Sequence, residues 1–196
     1  MEQKQIEWKF LQHSADDSNA NVSWAESFKE VGVIKTVNEL NFAINKIKEI
    51  KLSSLNTVYF FREDIKPMWE DKVNVNGGRL IIEVTLNNPA KIEEIFNKTL
   101  MFSFLNVFPS ILGAAYNEKE NNARICLWIS DAEEEKEIAT AWKAVLAGKF
   151  VTINFISHNR NKDKGGYKKK SNQGIPPAKA FDMSNVSNAF EKKNNR

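Results

Sequence analysis

The chain has 196 residues, 42% hydrophobic, 11% aromatic and 27% charged, a globular composition sized for one domain with or without a tail. No stretch reaches the roughly 18 to 20 apolar residues of a membrane helix, and the N-terminal MEQKQIEWKF is charged where a signal peptide is apolar, which predicts a soluble, non-secreted protein with no membrane partner. One cysteine, Cys126, excludes an intramolecular disulfide, and with only two histidines beside it a Cys/His zinc site is excluded as well. The net charge of +3 is unevenly spread: from residue 157 onward 10 Lys and Arg face 3 Asp and Glu, a surplus of +7, which leaves 18 against 22 and a deficit of −4 before it. A mildly acidic body does not coat nucleic acid, so any anion site in it must be local.

Alternation of Ile6, Trp8 and Phe10 predicts a half-buried strand, followed by a polar loop from Gln12 to Ser23 that ends at Trp24. Thr36 with Glu39 three residues on has capping-box spacing, and Val37, Leu40, Ile44 and Ile47 share one face, so residues 36–50 are expected to be helical. Thr57 to Phe61 and Arg79 to Leu86 read as strands around a polar, proline-containing connection. Asn88-Pro89 opens a second helix with Ile92, Ile95, Phe96, Thr99 and Leu100 as its stripe, expected to end near Pro109.

Ile111 to Glu118 and Ala123 to Ser130 read as a hairpin with a charged tip. A glutamate-rich first turn after Ser130-Asp131 opens a third helix, in which Ile138, Ala141, Trp142 and Val145 line one side up to Gly148. Phe150 to Ile156 alternates as a last strand, and beyond Ser157 no apolar period remains. The order predicts an α+β fold, a mostly antiparallel sheet with helices on one face and the other face free to bind. Residues 1–160 are expected to form that domain, and 161–196 a basic loop and tail, in part disordered.

Among the five tryptophans, Trp8 and Trp142 sit in phase with apolar neighbours and are expected in the core. Trp24 and Trp69 interrupt polar stretches, so each is either a ligand platform or a lid over the core edge. Trp128 lies in a strand and can face either way. Two indoles can sandwich a flat ring, and a cationic ring gains about 0.5 to 2 kcal/mol from each face. Glu70, next to Trp69, offers two acceptors that match the paired N–H donors of guanine, which adenine lacks.

Lys119 and Arg124 bracket the hairpin tip, where they either hold phosphates or face solvent. Gly77-Gly78-Arg79 lacks the spacing and the lysine of a P-loop and reads as a turn into a strand, with Arg79 lending positive potential. His13 and His158 have no nucleophile motif beside them, and Cys126 sits in an apolar strand as a buried structural thiol. No metal-ligand spacing occurs, so no catalytic residue, metal or cofactor is expected, and an enzyme acting on a nucleotide ranks last.

Ile65-Lys66-Pro67-Met68-Trp69-Glu70-Asp71 followed by Gly77-Gly78-Arg79 resembles the signature of the mRNA cap-binding translation initiation factor 4E family. Leu112-Gly113-Ala114-Ala115, Ile125-Cys126-Leu127-Trp128 and Ile156-Ser157-His158 extend the resemblance from about Trp8 to about Asn161. It implies a curved antiparallel sheet of about eight strands, with three helices on its convex face and the ligand in the cupped face. By that resemblance Trp24 and Trp69 stack the 7-methylguanine of the cap, the Glu70 carboxylate binds its N1 and N2 hydrogens, the Trp69 backbone N–H reaches O6, and Trp128 contacts the N7-methyl group. The function implied is recruitment of capped mRNA to translation initiation, in the cytoplasm with the nucleus as a second location.

The chain departs from the family pattern at several positions. Of three cationic positions on the phosphate bridge, Lys119 and Arg124 are retained and the third is Asn121, which predicts weaker dependence on phosphate number and salt. On the convex face Val37 fits, but Asn41 stands where the family has a tryptophan and Asn97-Lys98 where it has Leu-Glu, which predicts altered binding of the scaffold protein and its competing peptides. The alternative is a cap-binding repressor that recruits no scaffold. The serine phosphorylated in some relatives falls at about Tyr167.

Overall fold

A computed structural model describes residues 6–13, 28–52, 55, 57–105, 107–147 and 151–159. The elements are β1 (Trp8–His13), β2 (Phe28–Ile34), α1 (Val37–Ile50), β3 (Thr57–Arg62), β4 (Gly78–Thr85), α2 (Pro89–Leu105), β5 (Ile111–Glu118), β6 (Asn122–Ile129), α3 (Glu135–Val145) and β7 (Asn154–Ser157). The strands form one curved, seven-stranded sheet in the order β2-β1-β3-β5-β6-β4-β7, with every pairing antiparallel. Seven strands are thus present among the described residues, where about eight were expected. Strand β2 had no forecast: its sequence FKEVGVI does not alternate, and it is held at the sheet edge by pairing with β1.

Helices α1 and α2 start where their caps predict, whereas α3, expected directly after Ser130-Asp131, begins at Glu135 with no side-chain cap. Glu39 N–H donates to the Thr36 hydroxyl at 3.2 Å while Thr36 N–H donates to the Glu39 carboxylate at 3.0 Å, closing the capping box of α1. Lys91 N–H donates to Asn88 Oδ1 at 3.1 Å, and Pro89 occupies the first position of α2. Helix α2 stops at Leu105, short of the expected Pro109, whose carbonyl instead accepts from Arg62 Nη1 at 3.2 Å.

All three helices pack on one sheet face. Leu40, Ile44 and Ile47 of α1, Ile92, Phe96 and Leu100 of α2, and Ile138 and Trp142 of α3 meet Trp8, Phe10, Phe60, Leu80, Ile82, Ile125 and Leu127 in one core. Trp8 stacks on Phe60 with centroids 5.0 Å apart. Trp142 is wholly buried, and its indole N–H donates to Thr99 Oγ1 at 3.1 Å, which removes the cost of an unpaired buried donor. Both tryptophans lie in the core, as their phase predicts.

Successive side chains on a strand point to opposite faces, so the alternate residues build a second layer on the open face. Phe61, Ile65, Ile81, Leu112, Ala115, Cys126 and Trp128 form that smaller cluster, with Tyr59 and Trp69 packed against it.

Candidate functional site on the open sheet face

The register of four central strands lines the open face with three cross-strand rows. Phe61, Gly113, Trp128 and Arg79 stand opposite one another across β3, β5, β6 and β4; Tyr59, Ala115, Cys126 and Ile81 form the next row, and Thr57, Asn117, Arg124 and Glu83 the third. Rows two residues apart along a strand are separated by roughly 7 Å, so the face grades from aromatic to apolar to polar over roughly 13 Å. That gradient suits a ligand with a flat ring at one end and charged groups at the other.

In the aromatic row Trp128 faces the open side and is only 4% exposed, which settles the direction its strand pattern left open. Phe61 meets it edge-on with centroids 5.5 Å apart, the Arg79 guanidinium carbon lies 5.3 Å from the indole centroid, and the His158 ring lies 4.8 Å away. The Phe61 ring is able to lie across β5 because residue 113 is glycine: a Cβ there would come within 2.4 Å of the ring. Among the described residues, Arg79 Nε and Trp128 Nε1 are buried donors without a hydrogen-bond partner, donors of the kind that site polar groups keep for a ligand or water.

Trp69 and Glu70 sit on the connection between β3 and β4, and internal hydrogen bonds shape that loop. Met68 N–H donates to Lys66 O at 2.7 Å, Asp71 N–H to Met68 O at 3.2 Å, and Val75 N–H to Asp71 O at 2.9 Å. Ile65 anchors the near end in the open-face cluster. Asn74 is fully buried, and its Nδ2 donates to both Lys66 O at 3.0 Å and Met68 O at 2.7 Å, so one side chain clasps the turn leading into Trp69. Trp69 is half-buried against the cluster and Glu70 is exposed beside it.

The loop is also tied to the last strand. His158 N–H donates to Gly77 O at 3.1 Å, and His158 Nδ1 lies 2.7 Å from Asn74 O. A carbonyl only accepts, so Nδ1 carries the proton. Burial lowers the His158 pKa against the raising effect of that hydrogen bond, and the Arg79 charge lowers it further, which keeps the ring neutral. Gly77 lets the loop close on the end of β6, because a Cβ there would lie 1.8 Å from Ile129 O. Asn74 escaped sequence reasoning, its only signal being a polar residue three positions before a Gly-Gly turn, and His158 entered it as a histidine without a nucleophile motif and as part of the family resemblance, not as a support of the loop.

Burial pushes the Cys126 thiol in the middle row up to about 11 and the Tyr59 hydroxyl up to about 12, so both are neutral parts of the floor. In the polar row Arg124 Nε lies 2.6 Å from Glu83 Oε1, and Asn117 Nδ2 donates to Thr57 Oγ1 at 3.1 Å. Lys119 is exposed at the hairpin tip, where its N–H donates to Asn122 O at 2.8 Å. The structure therefore brings Trp69, Trp128 and Arg79 to one end of the face, with Glu70 beside Trp69, and sets Arg124 and Lys119 further along it. Trp24 lies outside the described residues.

On the helical side Val37 and Asn41 are exposed on α1, Asn97 is half-buried on α2, and Lys98 pairs with Glu94 at 2.6 Å. Among the described residues no three His, Cys, Asp or Glu side chains converge into a metal-binding group, and no helix is long and apolar enough to cross a membrane.

The chain is 29% identical over 154 residues to eukaryotic translation initiation factor 4E of Eremothecium gossypii, covering 74% of this chain and 72% of that protein. In structure it is similar to Ascaris suum eIF4E-3 in complex with an m7G cap, at 28% identity and a TM-score of 0.68 over 88% of this chain and 96% of that one. It is also similar to C. elegans eIF4E-3 in complex with the 4E-binding protein Mextli, at 25% identity and a TM-score of 0.68 over 81% of this chain and 94% of that one. The family model described as eukaryotic initiation factor 4E matches residues 3–173, which take in all the described elements, and the chain belongs to that family.

Proposed function

We propose that this protein binds the 7-methylguanosine cap at the 5′ end of mRNA on its open sheet face and brings capped mRNA to translation initiation in the cytoplasm. The observation that carries this reading is the Asn74-clasped loop, which sets Trp69 against the aromatic end of the face with Glu70 exposed beside it. The m7G cap bound by the Ascaris suum relative supports it.

In this reading Trp69 stacks one side of the methylated base and Trp24 the other. Methylation at N7 makes the ring cationic, so each indole favours it over plain guanine by about 0.5 to 2 kcal/mol. The Glu70 carboxylate accepts from N1–H and N2–H, charge-assisted bonds of about 1.5 to 3 kcal/mol. Trp128 packs beside the methyl group, and Arg79, Arg124 and Lys119 face the phosphates. No step of this mechanism breaks or forms a covalent bond.

A tryptophan-fluorescence titration comparing 7-methyl-GTP with GTP tests the reading. Strong preference for the methylated nucleotide is expected, with 7-methyl-GTP affinity lowered by about fivefold or more on Glu70→Ala or Trp69→Ala, as removal of about 1 to 3 kcal/mol requires. Equal, weak responses to both nucleotides would overturn it.

The helical face favours a second reading. Exposed Asn41 and the Lys98–Glu94 pair offer neither the aromatic anchor nor the free acidic group expected for the scaffold. The protein would then occupy caps without recruiting the usual scaffold and act as a repressor. Recovery of an endogenous scaffold with it on immobilised cap analogue would rule that out.

A further inference from the structure

Across the polar row, β4 and β6 place Glu83 directly opposite Arg124, and the two side chains meet at 2.6 Å. Both are about half in solvent, with side-chain exposures of 42% and 46%. Arg124 is the cation nearest the middle of the face on β6, four residues from Trp128, or roughly 13 Å along the strand. A phosphate chain leaving a base held at Trp128 runs toward this position. The other partners of Arg124 across the row are neutral: Asn117 stands opposite it on β5 and is itself bonded to Thr57. Glu118, next along β5, turns to the helical side, where it accepts from the Tyr116 hydroxyl at 3.0 Å. Glu83 is therefore the one carboxylate of that row.

From this geometry we infer that Glu83 sets the phosphate selectivity of the cap site, by occupying Arg124 and opposing the anionic chain, so that the protein scarcely distinguishes a cap nucleotide with one phosphate from one with three. The inference rests on the cap-binding reading. Its physical basis is competition for one guanidinium. Arg124 donates to the Glu83 carboxylate or to a phosphate oxygen, and a phosphate that displaces Glu83 leaves a like charge beside itself. The lysine lost at Asn121 leaves less positive charge to offset that repulsion. Replacing Glu83 by glutamine keeps the side-chain length and a hydrogen-bond acceptor while removing the charge.

The test measures affinity for 7-methyl-GMP, 7-methyl-GDP and 7-methyl-GTP, with GTP as the unmethylated control, in the full-length chain, in Glu83→Gln, in Arg124→Gln and in the double variant. The unaltered protein is expected to bind all three methylated nucleotides within about threefold, since Glu83 offsets Arg124 and the charge of exposed Lys119 is screened by solvent. Glu83→Gln is expected to raise 7-methyl-GTP affinity by about fivefold or more and 7-methyl-GMP affinity by less than about twofold, a gain that shrinks at high salt. Adding Arg124→Gln to Glu83→Gln should abolish the gain. A protein that prefers 7-methyl-GTP over GTP, yet whose triphosphate-to-monophosphate ratio is unmoved by Glu83→Gln, would overturn the role of Glu83 and leave cap binding intact. A protein that fails to prefer 7-methyl-GTP over GTP would overturn both.

Discussion

His158 Nδ1 lies 2.7 Å from the main-chain oxygen of Asn74, joining the end of β7 to the loop that carries Trp69 and Glu70. The ring also packs beside Trp128 with centroids 4.8 Å apart, so a single neutral imidazole supports both sides of the aromatic end of the face.

The state of that ring makes stability depend on pH. Burial holds the folded pKa of His158 below its ordinary value of 6.5, so below that pH the unfolded chain takes up a proton that the folded chain refuses. The contribution is complete above about pH 6.5 and is lost as pH falls below it. Urea unfolding between pH 7.5 and 5.5 should show stability declining over this window. The decline should be shallower in His158→Gln; His13, common to both proteins, cancels in the comparison. An identical slope in the two proteins would remove His158 from the account.

Asn74 holds two carbonyls of the loop with one amide, each of which also accepts from a loop N–H, and Asn74→Ala removes both side-chain bonds. Each lost hydrogen bond costs about 0.5 to 1.5 kcal/mol. Chemical denaturation should show a loss of at least about that size, and 7-methyl-GTP affinity should fall roughly tenfold because Trp69 and Glu70 are no longer pre-positioned. A folded variant with unchanged affinity would show that the loop keeps its shape without the clasp.

Gly113→Ala places a methyl group 2.4 Å from the Phe61 ring, on a strand that pairs on both sides. Overpacking of this kind costs about 1 to 3 kcal/mol. Thermal unfolding should report the loss, and the double variant Gly113→Ala with Phe61→Leu should recover part of it by vacating the ring position.

Cys126 is buried within the middle row, and burial pushes its thiol up to about 11. Since the thiolate is the reactive form, a disulfide reagent at pH 7 should modify the native protein at least about 100-fold more slowly than the urea-unfolded chain. Comparable rates would mean that the open face admits solvent to the sheet floor.

Much of the architecture was legible in the sequence, because its signals are local. The α1 capping box and the Asn88-Pro89 start of α2 involve side chains and N–H groups within a few residues, so their residue types announce them. The β5–β6 hairpin was visible in two apolar runs around a charged tip. Strand β2 was not, because an edge strand needs only one partner and one half-covered face, and FKEVGVI carries no alternation. Strand β7 was expected from Phe150, and among the described residues it runs over Asn154–Ser157, paired with Gly78–Ile81 of β4.

The residues themselves determined the chemistry on offer: a tryptophan beside a glutamate in a loop of set length, cations at a hairpin tip, and an α+β order that leaves one sheet face bare. Only the tertiary structure decided that Trp128 faces that bare side, that Asn74 and His158 hold the loop, and that Arg124 is engaged by Glu83. The physical reason is separation along the chain. Glu83 and Arg124 are 41 positions apart and Asn74 and His158 are 84 apart, so neither pairing leaves a mark on local residue pattern. Strand order and register bring them together, and those are fixed by the packing of the whole sheet against its helices.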